Sequence, residues 1–107
     1  MAWFINLTPH DVCVFKEDGT SINFKATGEV ARVKVKSKEI GRIAGIPVMK
    51  NFYSDVEGLP DPDEDTFYIV SKIVADAVPY RNDVLIPNDS VRDIDGRIIG
   101  CMSLAHI

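Results

Sequence analysis

Turn-forming residues interrupt this chain so often that none of its apolar runs leaves room for a long helix. Seven glycines and six prolines, reinforced by Asp, Asn and Ser, break it into short apolar segments, the pattern of a chain made mostly of β-strands. Residues 2–7 read as a first strand, ended by Thr8-Pro9, and residues 11–16 as a second. Glu17-Asp18-Gly19-Thr20 is a hairpin signal, because Gly19 tolerates positive φ. Residues 21–24 return as a third strand, and Lys25-Ala26-Thr27-Gly28 closes another turn.

The clearest periodicity lies in residues 29–38. Ala31, Val33 and Val35 fall on one face and Arg32, Lys34, Lys36 and Lys38 on the other, because side chains alternate along a strand. Residues 40–44 and 46–52 then form a hairpin through Gly45. Residues 53–65 carry Gly58, Pro60, Pro62 and six acidic side chains, a loop of a length that is usually functional or disordered.

Residues 66–70 make a further strand, after which Ser71 is placed to cap a short helix with Ile73, Val74, Ala77 and Val78 on its apolar side. Pro79 ends it. Residues 84–87 are a strand, 92–96 a turn and 97–107 a final strand, apolar on both faces and therefore central in its sheet. These elements predict a single α+β, mainly β domain over residues 1–107, a curved antiparallel sheet or small barrel covered by one short helix.

With 46% hydrophobic residues, the chain can bury one modest core. No apolar run approaches the roughly 18 residues of a membrane span, and no leader precedes the first strand, so a soluble, cytoplasmic protein is expected. Cys13 and Cys101 sit in apolar runs without zinc-site spacing and read as two reduced core cysteines, a pairing between them being left open. The net charge of −4 hides an asymmetry. Residues 1–53 carry eight basic and five acidic side chains (+3), and residues 54–107 carry four and eleven (−7). This is not the balance of a nucleic-acid binder, but a dipolar chain favours self-association, and a homo-oligomer is expected.

Four places carry candidate chemistry. The stripe Arg32/Lys34/Lys36/Lys38 has the spacing to follow a polyanion, or is a solvated face guarding an edge strand. The acidic run 61–65 lacks the glycine and closing glutamate of a calcium loop and reads as a solvated loop. His10 is a conceivable general base, yet no nucleophile is placed for it. Its corner is simply explained if the Thr8 hydroxyl and the His10 ring satisfy backbone groups around Pro9. The richest stretch is 79–93. There Arg81 offers a planar fork for phosphate or carboxylate, Asn82 and Asp83 can read amide or base edges, Tyr80 can stack, and Arg92 adds a second cation. The competing explanation is an Arg81–Asp83 or Arg92–Asp89 network that fixes two loops. No phosphate-cradling glycine loop and no metal-ligand set is present, so no cofactor or metal is expected.

"INLTPHDV", "YIVSKIVADAV" and "RNDVLIPNDSVRDIDGRIIGCMSL" together resemble a small family of phage and bacterial proteins, over most of the chain and more weakly across residues 17–45. The resemblance brings no activity and no site residue with it. Phage carriage implies a protein that binds and disables a host factor or a signalling nucleotide. Three functions follow. The first is non-enzymatic sequestration of an anionic small molecule such as a cyclic nucleotide, or of a host protein, with Tyr80, Arg81, Asn82, Asp83, Arg92, Lys34 and Lys36 as contacts. The second is a small phosphodiesterase-like enzyme using His10 as base. The third is an assembly module driven by the charge asymmetry.

Overall fold

A computed structural model describes residues 2–107. The chain runs through Trp3–Asn6 (β1), Val12–Phe15 (β2), Ser21–Phe24 (β3), Val35–Ile43 (β4), Ile46–Tyr53 (β5), Thr66–Ile69 (β6), the helix Lys72–Ala77 (α1), Val84–Arg92 (β7) and Ile98–Ala105 (β8). The mainly β class with one short helix is the class the sequence predicts. Six strands form one curved sheet in the order β1-β6-β7-β8-β2-β3, and β4 and β5 form a separate two-stranded ribbon. The final strand β8 is central, between β7 and β2.

Within that class the pairing is mixed rather than antiparallel throughout. β1 runs parallel to β6, β6 parallel to β7, and a single parallel bridge, Val14 to Cys101, joins β2 to β8; β7–β8 and β2–β3 are antiparallel. The physical reason is the connection. A hairpin reverses a chain, but between β6 and β7 α1 and its flanks carry it over the sheet and return it in the same direction, while β1–β6 and β2–β8 pair across long stretches of chain.

The sheet nearly closes because its outer strands meet. Phe4 on β1 packs on Phe24 of β3 with ring centroids 5.1 Å apart, and on Phe67 of β6 at 5.6 Å. At the same seam Asn6 bridges to Ala26. The Asn6 carboxamide is the buried polar group of the core, and all its hydrogen-bonding capacity is used. Its Nδ2 donates to the carbonyls of His10 (2.8 Å) and Phe24 (2.9 Å), while its Oδ1 accepts from the Thr8 N–H (2.9 Å) and the Thr8 hydroxyl (2.6 Å). The Thr8–Pro9–His10 corner is therefore fixed through the main-chain carbonyl of His10, which also lies 2.8 Å from Thr8 Oγ1. The His10 ring, which the sequence reading made a backbone partner, is exposed instead.

Apolar residues are buried on both sides of β6. Ile69 joins Val12 and Cys101 inside the curved sheet, with Val14, Phe24 and Leu104 around them. Tyr68 and Val70 pack on the other side with Leu7, Ala31, Val84 and the helix residues Val74, Ala75 and Val78. A helix of six residues has too few internal bonds to stand alone, so α1 is held by this burial. Ser71 is its N-cap residue in extended conformation, but the Ser71 side chain makes no capping bond; its carbonyl accepts the first helical bond from Ala75 at 3.1 Å. Both cysteines are free, and the Cys101 thiol, buried, points at the Cys13 carbonyl at 3.6 Å.

The ribbon β4–β5 is the arm of the molecule. Ala44 (φ 51) and Gly45 (φ 80) form the two-residue turn that reverses it, both left-handed as a type I′ hairpin requires. Eight of β4's nine residues face a partner on β5, five up to Glu39 and three from Gly41, with a bulge at Ile40 shifting the register between them. The strands of the arm are exposed almost throughout, and the molecule is correspondingly long, 55 × 39 × 23 Å. Its radius of gyration of 16.9 Å exceeds the roughly 13 Å of a compact domain of this size. The root is tied to the body by Ala31, which is buried and donates to the Leu7 carbonyl at 3.0 Å. Residues 54–57, in the stretch read as a loop, extend the ribbon: Ser54 N–H donates to the Lys34 carbonyl, and Arg32 and Glu57 exchange both backbone bonds at 2.8 Å.

Removing the Asn6 carboxamide breaks its four hydrogen bonds at the seam. Asn6→Ala is expected to cost about 4 kcal/mol, at ~1 kcal/mol per lost bond, and to lower the melting temperature by roughly 16–32 °C. His10→Ala, which keeps the carbonyl, should melt within a few degrees of the parent. Thermal denaturation followed by circular dichroism measures both.

Candidate functional site

The sequence draws Tyr80, Arg81, Asn82, Asp83 and Arg92 into one binding cluster. The structure divides it. Arg81 follows α1 in the turn where its N–H donates to the Val78 carbonyl at 3.0 Å. Its guanidinium is engaged within the chain: Nε and Nη2 meet the two Asp83 oxygens at 2.8 Å each, and Nη2 also donates to the Pro60 carbonyl at 2.9 Å. The fork that would grip a phosphate grips Asp83 instead, and it ties the loop around Pro60 to the start of β7. Both side chains are about 85% buried, with exposures of 14% and 15%. The Arg81 hydrogen bonds hold the Asp83 carboxyl below its ordinary 3.8 despite its burial, and Asp83 in turn raises the arginine.

Arg92 lies at the far end of β7, where Nη1 donates to the Gly96 carbonyl at 2.7 Å across the β7–β8 turn. Tyr80 projects into solvent at 76% exposure. Asn82 borders a cleft with Arg81 and His106 of only about 40 Å³, room for a water but not for a nucleotide.

The space for a ligand lies at the root of the arm. One groove of about 450 Å³ runs from Pro9 past Val33 and Lys34 to Ile73 and Val74 of α1. A second, of about 500 Å³, is walled by Lys34, Lys36, Phe52 and Tyr53. Lys34, Ser54, Asp55 and Glu57 border both. Each is in the size range of small-molecule sites.

Hairpin register supplies an aromatic that the stripe lacks by itself: Phe52 stands directly opposite Lys36 on the lysine face, whereas Tyr53 stands opposite Val35 on the other face. The two-residue turn alone would pair Lys36 with Tyr53; the bulge at Ile40 shifts the register by one and brings Phe52 there. Lys34 is positioned by two bonds to Ser54, its N–H donating to Ser54 Oγ at 2.9 Å. Asp55 and Glu57, missed by sequence reasoning because they sit in an acidic loop, line the same groove as the lysines.

His10 lies on a third groove of about 380 Å³ between β2 and β8, beside Asp11, Cys13 and Cys101. Asp11 is occupied as a structural acceptor. The Ala26 N–H (2.9 Å) and the Asn23 amide (3.2 Å) donate to it and hold its carboxyl below the usual range. Burial pushes the Cys101 thiol up, away from the nucleophilic thiolate. Among the described residues no three His, Cys, Asp or Glu side chains gather as a metal site, and no helix is long and apolar enough to cross a membrane.

Fold and site together define a mainly β module with a nearly closed mixed sheet, one covering helix and a projecting two-stranded arm with a ligand-sized groove at its root. No protein-family model, no curated protein and no solved structure matches this chain.

Arg81→Ala strands the Asp83 carboxylate in a half-dry site. It should destabilise the protein by about 2 kcal/mol at pH 7. Because Asp83 titrates below 3.8 in the folded state, the pair contributes fully above that pH and is lost as pH falls through the folded value. The gap in melting temperature between parent and variant should therefore narrow below pH 3.8, which a pH series of thermal melts reads directly.

Proposed function

We propose that this chain is a phage-type, non-enzymatic binding protein of the cytoplasm that sequesters an anionic, ring-bearing small molecule, of the kind a nucleotide signal is, in the groove at the root of its arm. The observation that carries this reading is that Lys34, Lys36, Phe52 and Tyr53 line one groove of about 500 Å³, with Phe52 paired directly opposite Lys36 on the same face of the ribbon. Lysines attract phosphate as point charges, and an aromatic face stacks on a base. Asp55 and Glu57 repel a bare polyanion but accept from ribose hydroxyls and base N–H groups, so the mixed lining suits a nucleotide better than a nucleic-acid backbone. Arg81 and Asp83 take the role of a structural clamp in this reading, and His10 has no part in it.

The test is to incubate the protein with a panel of mononucleotides and cyclic dinucleotides, remove free ligand, and release what is bound by heating. Intact nucleotide retained by the parent and reduced about tenfold or more in Lys34→Ala supports sequestration. Chemically altered nucleotide, lost in His10→Ala, would instead establish a phosphodiesterase-like enzyme. No retention of any member of the panel would sink the nucleotide reading.

A further inference from the structure

The arm exposes apolar residues and concentrates charge. Residues 32–53 carry six basic and one acidic side chain, +5, and the remainder of the chain six and fifteen, −9; the two recover the net −4. One face of the arm is especially uneven. Lys38 and Lys50 stand directly opposite each other and Lys36 lies two residues along on the same side. Like charges so placed repel, and none of the three lysines forms an ion pair among the described residues, whereas on the other face Arg42 meets Glu39 at 3.3 Å. Toward the tip the lysine face becomes apolar, with Ile40, Ile43 and Ile46 at 62–69% exposure. A two-stranded ribbon with no third strand and no covering element is at best marginally stable in water. Its apolar tip and unpaired cations both lack a counterpart within their own chain.

We propose that the arm docks on the body of a second copy of this chain, its isoleucine tip entering the groove between β2 and β8 and its lysines facing the acidic body. Charge decides for a second copy, since the +5 arm and the −9 body are complementary. The receiving groove, of about 380 Å³, is walled by Val12, Pro87, Ile98 and Ile99, with Asp11 on its border; Ile98 and Ile99 are 60% and 48% exposed in the single chain. Strands of eight and nine residues at about 3.3 Å per residue give the arm a reach of about 30 Å. Each copy contributes one arm and one groove, so a two-fold exchange satisfies both and closes, leaving no arm free to propagate a chain of copies. Two arms of 19 residues with their grooves are of the order of the 20–30 residues a side in a standard stable interface. This inference does not rest on the nucleotide reading: Lys34 takes no part in it, and the variants that test it leave Lys36, which also lines the root groove, unchanged.

Sedimentation velocity of the full chain tests it. The parent is expected to sediment as a dimer of the 11.9 kDa chain at tens of micromolar and to dissociate as salt is raised. The K38E/K50E and I43S/I46S variants should both be monomeric, with a melting temperature, taken at a concentration where the parent is also monomeric, unchanged because the arm adds little to the core. Under mild oxidation Ile43→Cys should cross-link between copies to Cys13, which borders the receiving groove, and Cys13→Ser in the same chain should abolish that band. A parent monomeric to 100 µM, or a dimer indifferent to both arm variants, would overturn the proposal. Arm-dependent binding of a monomer to duplex nucleic acid or anionic vesicles would overturn it as well. An arm-dependent dimer without the Cys13 cross-link would overturn the receiving groove.

Discussion

One carboxamide organises this molecule. Asn6 ends β1, and its side chain reaches two places at once: the corner that follows it, through Thr8 and His10, and the last residue of β3, Phe24. A carboxamide is the smallest group that supplies two donors and a two-fold acceptor in one plane, and here each is matched. A carboxylate in the same position would turn an oxygen toward two carbonyls; an apolar side chain would leave them dry and unpaired. The near closure of the sheet, the placement of Pro9 on the wall of the root groove and the burial of Leu7 against Ala31 all follow from where that group holds the chain.

Cations are used in two opposite ways. Arg81 spends its fork inside the molecule, and the desolvated pair it makes with Asp83 fixes geometry without offering anything to a ligand. The arm lysines are solvated and unpaired, so their charge remains available. Seen from sequence the arginine is the more attractive ligand group because its planar fork suits phosphate, but the same planarity makes it the better internal clamp. Which of the two a given arginine does is decided by whether an acid two residues away can fold back onto it, as Asp83 does.

Local features were legible in the sequence, and relations between distant segments were not. The alternation of short runs with Gly and Pro marks β1, β2, β3 and β6 to within a residue or two, and Gly45 marks the turn of the arm. Ser71 and Pro79 bracket α1 even though the Ser71 hydroxyl caps nothing, because an extended residue before the helix and a proline after it suffice. By contrast, nothing local reveals that β1 pairs with β6, or that β7 runs on past Pro87 to Arg92 against β8, since the partner strand supplies the ladder. The periodicity of residues 29–38 is real as alternation, but only Ala31 and Val33 meet the core; by Val35 the same face has left the body. The lysines of the root groove were found by that stripe. That Phe52 rather than Tyr53 stands opposite Lys36 depended on a bulge at Ile40, a register shift of one residue that no composition or period announces.

The parallel pairing of β1 with β6 also sets a timetable. A chain made from its N-terminus completes β2–β3 and the whole arm before Thr66, the first partner of Trp3, exists. Hairpins close within their own sequence and need not wait, whereas β1 must stay unpaired while more than half the protein is still to come. Sheet closure is therefore a late event of synthesis, and any truncation before Thr66 leaves Asn6 with its corner and its contacts to Phe24 and Ala26 but without β6 on its other side.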